Sequence, residues 1–303
     1  MSESLRATNE IQPLVVSEPG RAVAVVSGGE RATWLNGVVT CEVAALKPGE
    51  GAFGLLLSKQ GKVQADFYLA VTADRLLLAF APGTREPALA ELARMLVMED
   101  AEIEAAAPEL AAACVYGPRA AEIARGAAEA LRGASASLDR PGLEGALLLF
   151  PESERHALEA CVTAAGGRIA SDDEWLRLRV EHGIGLFGVD YGPSDNPHEA
   201  GLERRAISWK KGCYLGQEVV FMQDARGKLK RRLVELKLDG PAVPPGTKVL
   251  AADGAEVGEV TSVAPTGTGS ALALARLKAP HFEPGQSLSL AGVPAVVRER
   301  KAV

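Results

Sequence analysis

Cysteine and histidine are scarce, with four of each in 303 residues. Cys41, Cys114, Cys161 and Cys213 include no CxxC pair. His156, His182, His198 and His281 are scattered, and none has a cysteine or carboxylate at ligand spacing, so each is expected as a surface or loop histidine. A zinc site or a cluster of the chain's own is therefore not expected. No Walker A, HExxH or GxSxG sequence occurs, which leaves nucleotide, metalloprotease and serine-hydrolase readings without a motif. No apolar run reaches the roughly 18 residues of a membrane span. The first residues, Met1 to Leu5, are polar and acidic, unlike a signal peptide. Without a secretion signal the four cysteines are expected as free thiols in a reducing, cytoplasmic setting. Basic side chains are outnumbered, 33 against 39, for a net charge of -6. General nucleic-acid coating is thereby disfavoured, and no direct nucleic-acid contact is expected.

What the chain does have is length and apolar content. At roughly 150 residues per domain it holds about two domains' worth of sequence, and 47% of it is hydrophobic. The pattern is α+β, arranged as two α/β lobes. In the first, Arg21–Val26 is a strand and a helix follows through Trp34 and Leu35. Gly51–Leu57 and Val63–Val71 form a hairpin about a polar turn. Arg75–Phe80 is a third strand, Arg85–Val97 has helical spacing, and Ile103 lies in a returning strand. In the second lobe, Ala113–Tyr116 is a strand, and a helix starting at Gly117-Pro118 runs to Leu131. A strand follows over Ala146–Phe150, then a helix over Glu152–Ala165. Ser171 to Glu174 caps a further helix that ends before Gly183. After Arg231 the texture changes to short strands bounded by glycine or proline: Leu233–Leu238, Lys248–Ala251, Glu256–Val263, Ala271–Leu277, Ser287–Leu290 and Ala295–Arg298. That spacing predicts a small antiparallel barrel over 233–303, with lobes of about 1–110 and 111–232 before it.

Gly183-Ile184-Gly185-Leu186-Phe187-Gly188 has the letters of a dinucleotide fingerprint. A helix precedes it and Gly192-Pro193 follows closely, so the strand-turn-helix context is missing and the reading is rejected. The informative stretch is 197–237. From Leu202 to Lys237 there are ten lysines and arginines against four acids, so the remaining chain carries -12. A basic island on an acidic protein is either an anion site or a solvated charged face. Within it, Gly212 and Gly216 flank Cys213, allowing a tight turn and a close backbone approach. Lys210 and Lys211 precede the thiol, and nearby cations favour a thiolate. The plain alternative is a small buried side chain. The other three cysteines lack local cations and are expected to be inert.

Lys211-Gly212-Cys213-Tyr214-Leu215-Gly216-Gln217-Glu218 matches the K-G-C-Y-x-G-Q-E signature of the YgfZ family, folate-binding proteins that resemble the glycine-cleavage T-protein, an aminomethyltransferase. The resemblance covers nearly the whole chain. Trp34 to Gly37 with Thr40 is similar to the family's F/L-x-G-x-x-T segment. Gly61 to Asp66 resembles its G-[RK]-x-x-x-D hairpin. Arg226 to Leu236 resembles its G-x-x-x-R-x-L segment, and Gly258 to Ser262 its G-x-V-T-S. One departure stands out: Pro197 to Leu202 looks more like the P-x-E-A-G-L of true aminomethyltransferases. Those enzymes, however, lack the cysteine of K-G-C-Y and usually carry a longer C-terminal region.

The resemblance implies a three-lobed ring of two interwoven α/β lobes and a C-terminal β-barrel, with tetrahydrofolate or a one-carbon-substituted folate in the central channel. It implies that Glu199 reads the pterin edge, with Lys211, Tyr214, Gln217 and Arg226 as further folate-binding residues. Arg204, Arg205, Lys210 and Arg226 are the cations offered to the anionic glutamate tail. Asp66 matches the carboxylate that positions the amine-bearing carbon, and Cys213 is the functional thiol. The implied function is support of iron–sulfur protein assembly or repair, with a downstream effect on tRNA modification. The implied partners are a reduced folate and iron–sulfur proteins or their assembly factors, and the expected state is a monomer. A one-carbon transferase and a non-catalytic folate-binding module are the alternatives.

Overall fold

The computed structural model describes residues 13–17, 20–138, 143–266 and 269–299; the polar Met1–Leu5 segment lies outside them. The first lobe is built on a five-stranded sheet ordered β3-β4-β5-β2-β6. Its strands are β2 (Ala22–Ser27), β3 (Gly51–Leu57), β4 (Val63–Val71), β5 (Leu76–Phe80) and β6 (Glu102–Ala105). The second sheet is ordered β10-β1-β7-β9-β8. It contains β1 (Leu14–Ser17), β7 (Leu110–Tyr116), β8 (Ala134–Ser137), β9 (Gly145–Pro151) and β10 (Arg168–Ile169). The lobes are interwoven: β1 precedes every strand of the first sheet, yet it pairs with β7 of the second, Leu14 opposite Tyr116.

Strand alternation sorts the core into layers. On β4, Ala65, Phe67, Leu69 and Val71 join a cluster with Trp34, Leu35, Ala88 and Leu92 of helices α1 (Arg31–Asn36) and α2 (Arg85–Ala93). Tyr68 and Ala70 point the other way, into a cluster shared with Ala112, Cys114, Tyr116, Leu147 and Leu149 of the second sheet. The period of two therefore places Asp66 on that inner face. Helices α3 (Ala120–Leu131) and α4 (Leu158–Ala164) cover the outer face of the second sheet.

The tail forms a closed barrel in the order β11-β14-β13-β12-β15-β16. Its strands are β11 (Arg231–Leu238), β12 (Lys248–Leu250), β13 (Glu256–Pro265), β14 (Ala271–Lys278), β15 (Ser287–Leu290) and β16 (Val293–Val297). Alternate residues of these strands fill its interior. Closure removes the sheet edges that so short a set of strands would otherwise expose. Between lobes and barrel lie α5 (Asp172–Glu181), a long loop, and α6 (Gln217–Arg226).

Two expected elements differ, and others arise that were not expected. The helix predicted over Glu152–Ala165 begins as a 3-10 turn, Glu152–Ala157, and becomes α-helical only at Leu158. Arg155 grips both carboxylate oxygens of Glu152 three residues back, a separation that the 3-10 turn eclipses. Helix α2 stops at Ala93 rather than Val97; beyond it the chain turns so that the Met95 carbonyl accepts the indole N–H of Trp34. Helix α6 was not anticipated. Among the described residues no helix is long and apolar enough to cross a membrane.

Candidate functional site

The loop 183–201, which begins with the rejected dinucleotide letters at 183–188, is folded around two buried carboxylates. Asp190 accepts bonds from Arg179 of α5 (3.0 Å), the Leu186 N–H (2.9 Å), Thr261 (2.6 Å) and Ser262 (2.7 Å). Arg179 also donates to Ser262 at 2.8 Å. The Thr261-Ser262 end of the G-x-V-T-S segment thus fastens the barrel to the lobes. Asp195 accepts from the Gly192 N–H at 2.9 Å and pairs with Arg231 (2.8 Å) and with Arg276, both barrel residues. Its backbone carbonyl takes the Val63 N–H at 3.0 Å, which ties the loop to β4.

Glu199 stands where these ties meet. Its Oε2 accepts from Lys62 at 3.1 Å and from the Asn196 N–H at 3.0 Å. Its Oε1 has Arg231 Nε at 3.8 Å, beyond hydrogen-bond distance. The carboxylate lies between two cations from different parts of the fold, and Oε1 accepts no hydrogen bond among the described residues. Its neighbours Ala200 and Leu202 belong to the central apolar cluster.

Asp66 is buried and bonded at both oxygens. Oδ1 pairs with Arg21 at 2.9 Å, and Oδ2 accepts the Tyr191 hydroxyl. Arg21 also donates to the Ala79 carbonyl and lies 4.1 Å over the Tyr68 ring. Burial, and next the Asp66 charge, hold the Tyr191 phenol well above its ordinary range. It therefore stays a donor.

The signature loop packs on the β3–β4 turn. Gly216 has φ +80°, and a Cβ there would lie 2.7 Å from the Ser58 carbonyl oxygen and 3.3 Å from Gly61 Cα. The hairpin motif and the signature are therefore back to back. A second seam joins the loop to residues 39–41. Thr40 donates to the Ala206 carbonyl at 2.6 Å, and its own carbonyl accepts the Ser208 N–H at 2.9 Å. Lys211 Nζ donates to the carbonyls of Val39 (2.8 Å) and Cys41 (2.5 Å).

This seam corrects two expectations about the cysteines. The Lys211 ammonium is turned away to those carbonyls, so it is not the cation that would favour a Cys213 thiolate. Cys41, taken as lacking a local cation, has Lys211 beside it; burial nonetheless pushes its thiol up to about 12. Cys213 is exposed, Cys114 is buried and Cys161 is half-buried.

Tyr214 is buried in the central cluster, its hydroxyl has no partner among the described residues, and desolvation pushes its pKa to about 12. Gln217 opens α6 and its side chain reaches back to the Gly212 carbonyl at 3.4 Å. Arg226 ends α6, exposed and far along the helix from the loop.

His198 lies in a loop, as one of the two expected placements, but not at the surface. It is buried, its Nε2 lies 3.3 Å from Asp224 of α6, and its ring meets Trp209 edge-on.

The basic island divides into engaged and free cations. Arg205, expected to face a ligand, donates instead to the carbonyls of His182 and Gly183. Arg231 and Arg232 pair with acids of the loop, and Lys211 is engaged as above. Arg204, Lys210, Arg226, Lys228 and Lys230 have no side-chain partner among the described residues. Sequence reasoning missed Arg21, Tyr191 and Arg231 as site residues. They come from remote positions, and only Arg21, a charge at the head of an apolar strand, carried any local signal.

Two facing sheets, the first antiparallel and the second mixed through the parallel β1–β10 pair, with a barrel fastened to them, define an aminomethyltransferase-type fold. The GCVT N-terminal domain family matches residues 21–137, and the CAF17 C-terminal beta-barrel domain matches residues 230–302. The chain thus carries a GCVT N-terminal domain and a CAF17-type C-terminal barrel, a combination that supports the YgfZ/GcvT-like family. The mitochondrial aminomethyltransferase of Gallus gallus is 28% identical over 304 residues, 88% of this chain and 74% of that protein. The tRNA-modifying protein YgfZ of Colwellia psychrerythraea is 27% identical over 216 residues, 69% of this chain and 66% of that one. Among solved structures, glycine cleavage system aminomethyltransferase T from Bartonella henselae has the same fold. Its TM-score is 0.78 at 19% identity, over 95% of this chain and 85% of that one.

Proposed function

We propose that the protein is a tetrahydrofolate-binding factor that supports assembly or repair of iron–sulfur proteins, with tRNA modification as a downstream beneficiary. The observation that carries the folate reading is Glu199: a half-buried carboxylate, fixed by Lys62 and the Asn196 N–H, whose Oε1, beside Arg231, accepts no hydrogen bond among the described residues. A pterin edge offers N–H donors to such a group. The buried Tyr214 hydroxyl, without a partner among the described residues, supplies a second polar contact in the same cluster. A polar atom left dry and unpaired costs about 1–3 kcal/mol, which a ligand partner would offset. The free cations Lys210 and Arg226 remain as counter-charges for the anionic tail.

The transferase reading draws support from the aminomethyltransferase relatives. Against it stands Asp66. In a T-protein-like reaction that carboxylate would have to face the amine-bearing carbon, but here Arg21 and Tyr191 occupy both of its oxygens. The exposed Cys213, which folate transfer does not require, favours the assembly factor.

Titration calorimetry with tetrahydrofolate tests the first half of this reading. We expect roughly micromolar binding, and Glu199→Gln should weaken it by about 1–3 kcal/mol through loss of a charge-assisted bond. No heat, or an unchanged affinity in the variant, would reject that half. For the second half, Cys213→Ser should keep folate binding but fail to restore iron–sulfur enzyme activity in a deletion strain. Full restoration would leave the cysteine a surface side chain.

A further inference from the structure

Away from Glu199 and the signature loop, the two sheets part at one edge and leave a cleft of about 290 Å³. Its floor is apolar and drawn from both lobes: Val25 and Leu77 of the first sheet, Leu110, Ala134 and Leu149 of the second. Val25, Leu110 and Ala134 are partly buried and pack against the central cluster, so the edge of the main core reaches the surface here. Small residues, Ala106, Ala107 and Gly133, also line the cleft.

The rim is cationic. Arg75 comes from the β4–β5 turn and Arg132 from the end of α3, one from each lobe. Arg132 has no side-chain partner among the described residues. Among the described residues the Arg75 side chain pairs with Asp74 alone, at 3.2 Å, with both side chains more than half exposed. Such a pair contributes little and re-forms easily. Asp74 is the one acid that lines the cleft, and its pKa is lowered, first by its bond from the Thr72 hydroxyl. The nearby Glu109 is paired with Arg85.

We infer that this cleft binds a small amphipathic anion, one ring or a short branched chain carrying a single carboxylate. The apolar body would cover the open edge of the core, and the head would bridge Arg75 and Arg132. The volume sits at the lower limit of ligand pockets, which run from about 300 Å³, and so fits a compact molecule. Guanidinium groups suit a planar carboxylate, which they can grip through two bonds. Because the two arginines belong to different lobes, such a ligand would clamp one sheet to the other. This inference does not depend on folate binding at Glu199.

The probes are 3-phenylpropionate, its alcohol analogue 3-phenylpropan-1-ol and its amine analogue 3-phenylpropylamine. Each is titrated into the full chain by calorimetry. We expect the acid to bind saturably at one site, the alcohol about tenfold more weakly and the amine not at all. Arg132→Gln, an exposed change that spares the fold, should weaken the acid by about fivefold or more. Ala134→Leu should fill the cleft and abolish binding, with circular dichroism confirming that it folds. Glu199→Gln should leave the acid's affinity unchanged, which separates this site from the proposed folate site. No saturable binding of the acid, equal binding of the alcohol, or an unaltered affinity in Arg132→Gln would overturn the proposal.

Discussion

The four thiols of this chain differ by environment more than by sequence neighbourhood. Cys41 lies against Gly54, where a Cβ would come within 2.5 Å of its sulfur, and its pKa is pushed to about 12. A thiol that dry presents almost no thiolate at neutral pH, whatever cation stands near its carbonyl. Cys213 is reachable by solvent because the signature loop turns outward between Gly212 and Tyr214. Alkylation followed by mass spectrometry should therefore modify Cys213 first, Cys161 later, and Cys41 and Cys114 only on unfolding. Labelling of Cys41 at a rate near that of Cys213 would show that the seam to Lys211 opens in solution. A carboxylate gives the matching test by pH. The Glu174 pKa is lowered from 4.5 to about 2, mainly by Arg168 and next by the Ser171 N–H it accepts in the capping box. A depressed acid stabilises the fold above its unfolded pKa and loses that effect as the pH falls through its folded one. The stability gap between the parent and Glu174→Gln should thus shrink as the pH drops from above 4.5 towards 2. The pair is half-exposed and screened by solvent, so the gap itself should be small.

At the scale of elements, the contact between the hairpin turn and the signature loop sets a steric demand. Gly216→Ala must hold a left-handed φ and push its methyl against the Ser58 carbonyl. It should cost about 1–3 kcal/mol in urea unfolding, whereas Gly212→Ala, with nothing within 4 Å, should be near neutral. Much of this architecture was legible in the sequence, because most elements carry their own periodicity. The hairpin, the α5 capping box and all the barrel strands announce themselves locally. Helix α6 did not, since Val220 is its only buried residue and no apolar stripe forms. Strands β1, β8 and β10 were likewise missed. They are two to four residues long, and β1 and β10 are defined by partners far away in the chain, as Leu14 is by Arg168. The site shows the same division. Glu199, Lys62 and Thr40 fall within short motifs, but the closure of Asp66 by Arg21 and Tyr191 is a matter of tertiary placement that no spacing could announce.

For the whole molecule, apolar and buried polar contacts both join the barrel to the lobes. The barrel has its own apolar interior, and Leu233, Ala264 and Leu274 of its strands also enter the central cluster of the lobes. Asp190 adds the polar tie. It is fully buried and gathers Arg179 of α5, the 183–201 loop, and Thr261 and Ser262 of the barrel onto one carboxylate. Removing one partner of a buried pair strands the other charge, at a cost of about 3–5 kcal/mol. Asp190→Ala should therefore destabilise the chain by that order. It should also change the manner of unfolding, from a single transition to one in which barrel and lobes separate. Hydrogen exchange reads this directly: in the parent, protection of β13 and of α5 should fall together, whereas in the variant α5 should lose protection first. Limited proteolysis should spare residues 227–231 in the parent and cut there in the variant, where Arg231 and Arg276 hold Asp195 without the second anchor. A variant that still melts in one transition, with α5 and β13 exchanging in step, would mean that the apolar contacts between α5 and the barrel suffice to join them and that the Asp190 cluster only fixes their angle.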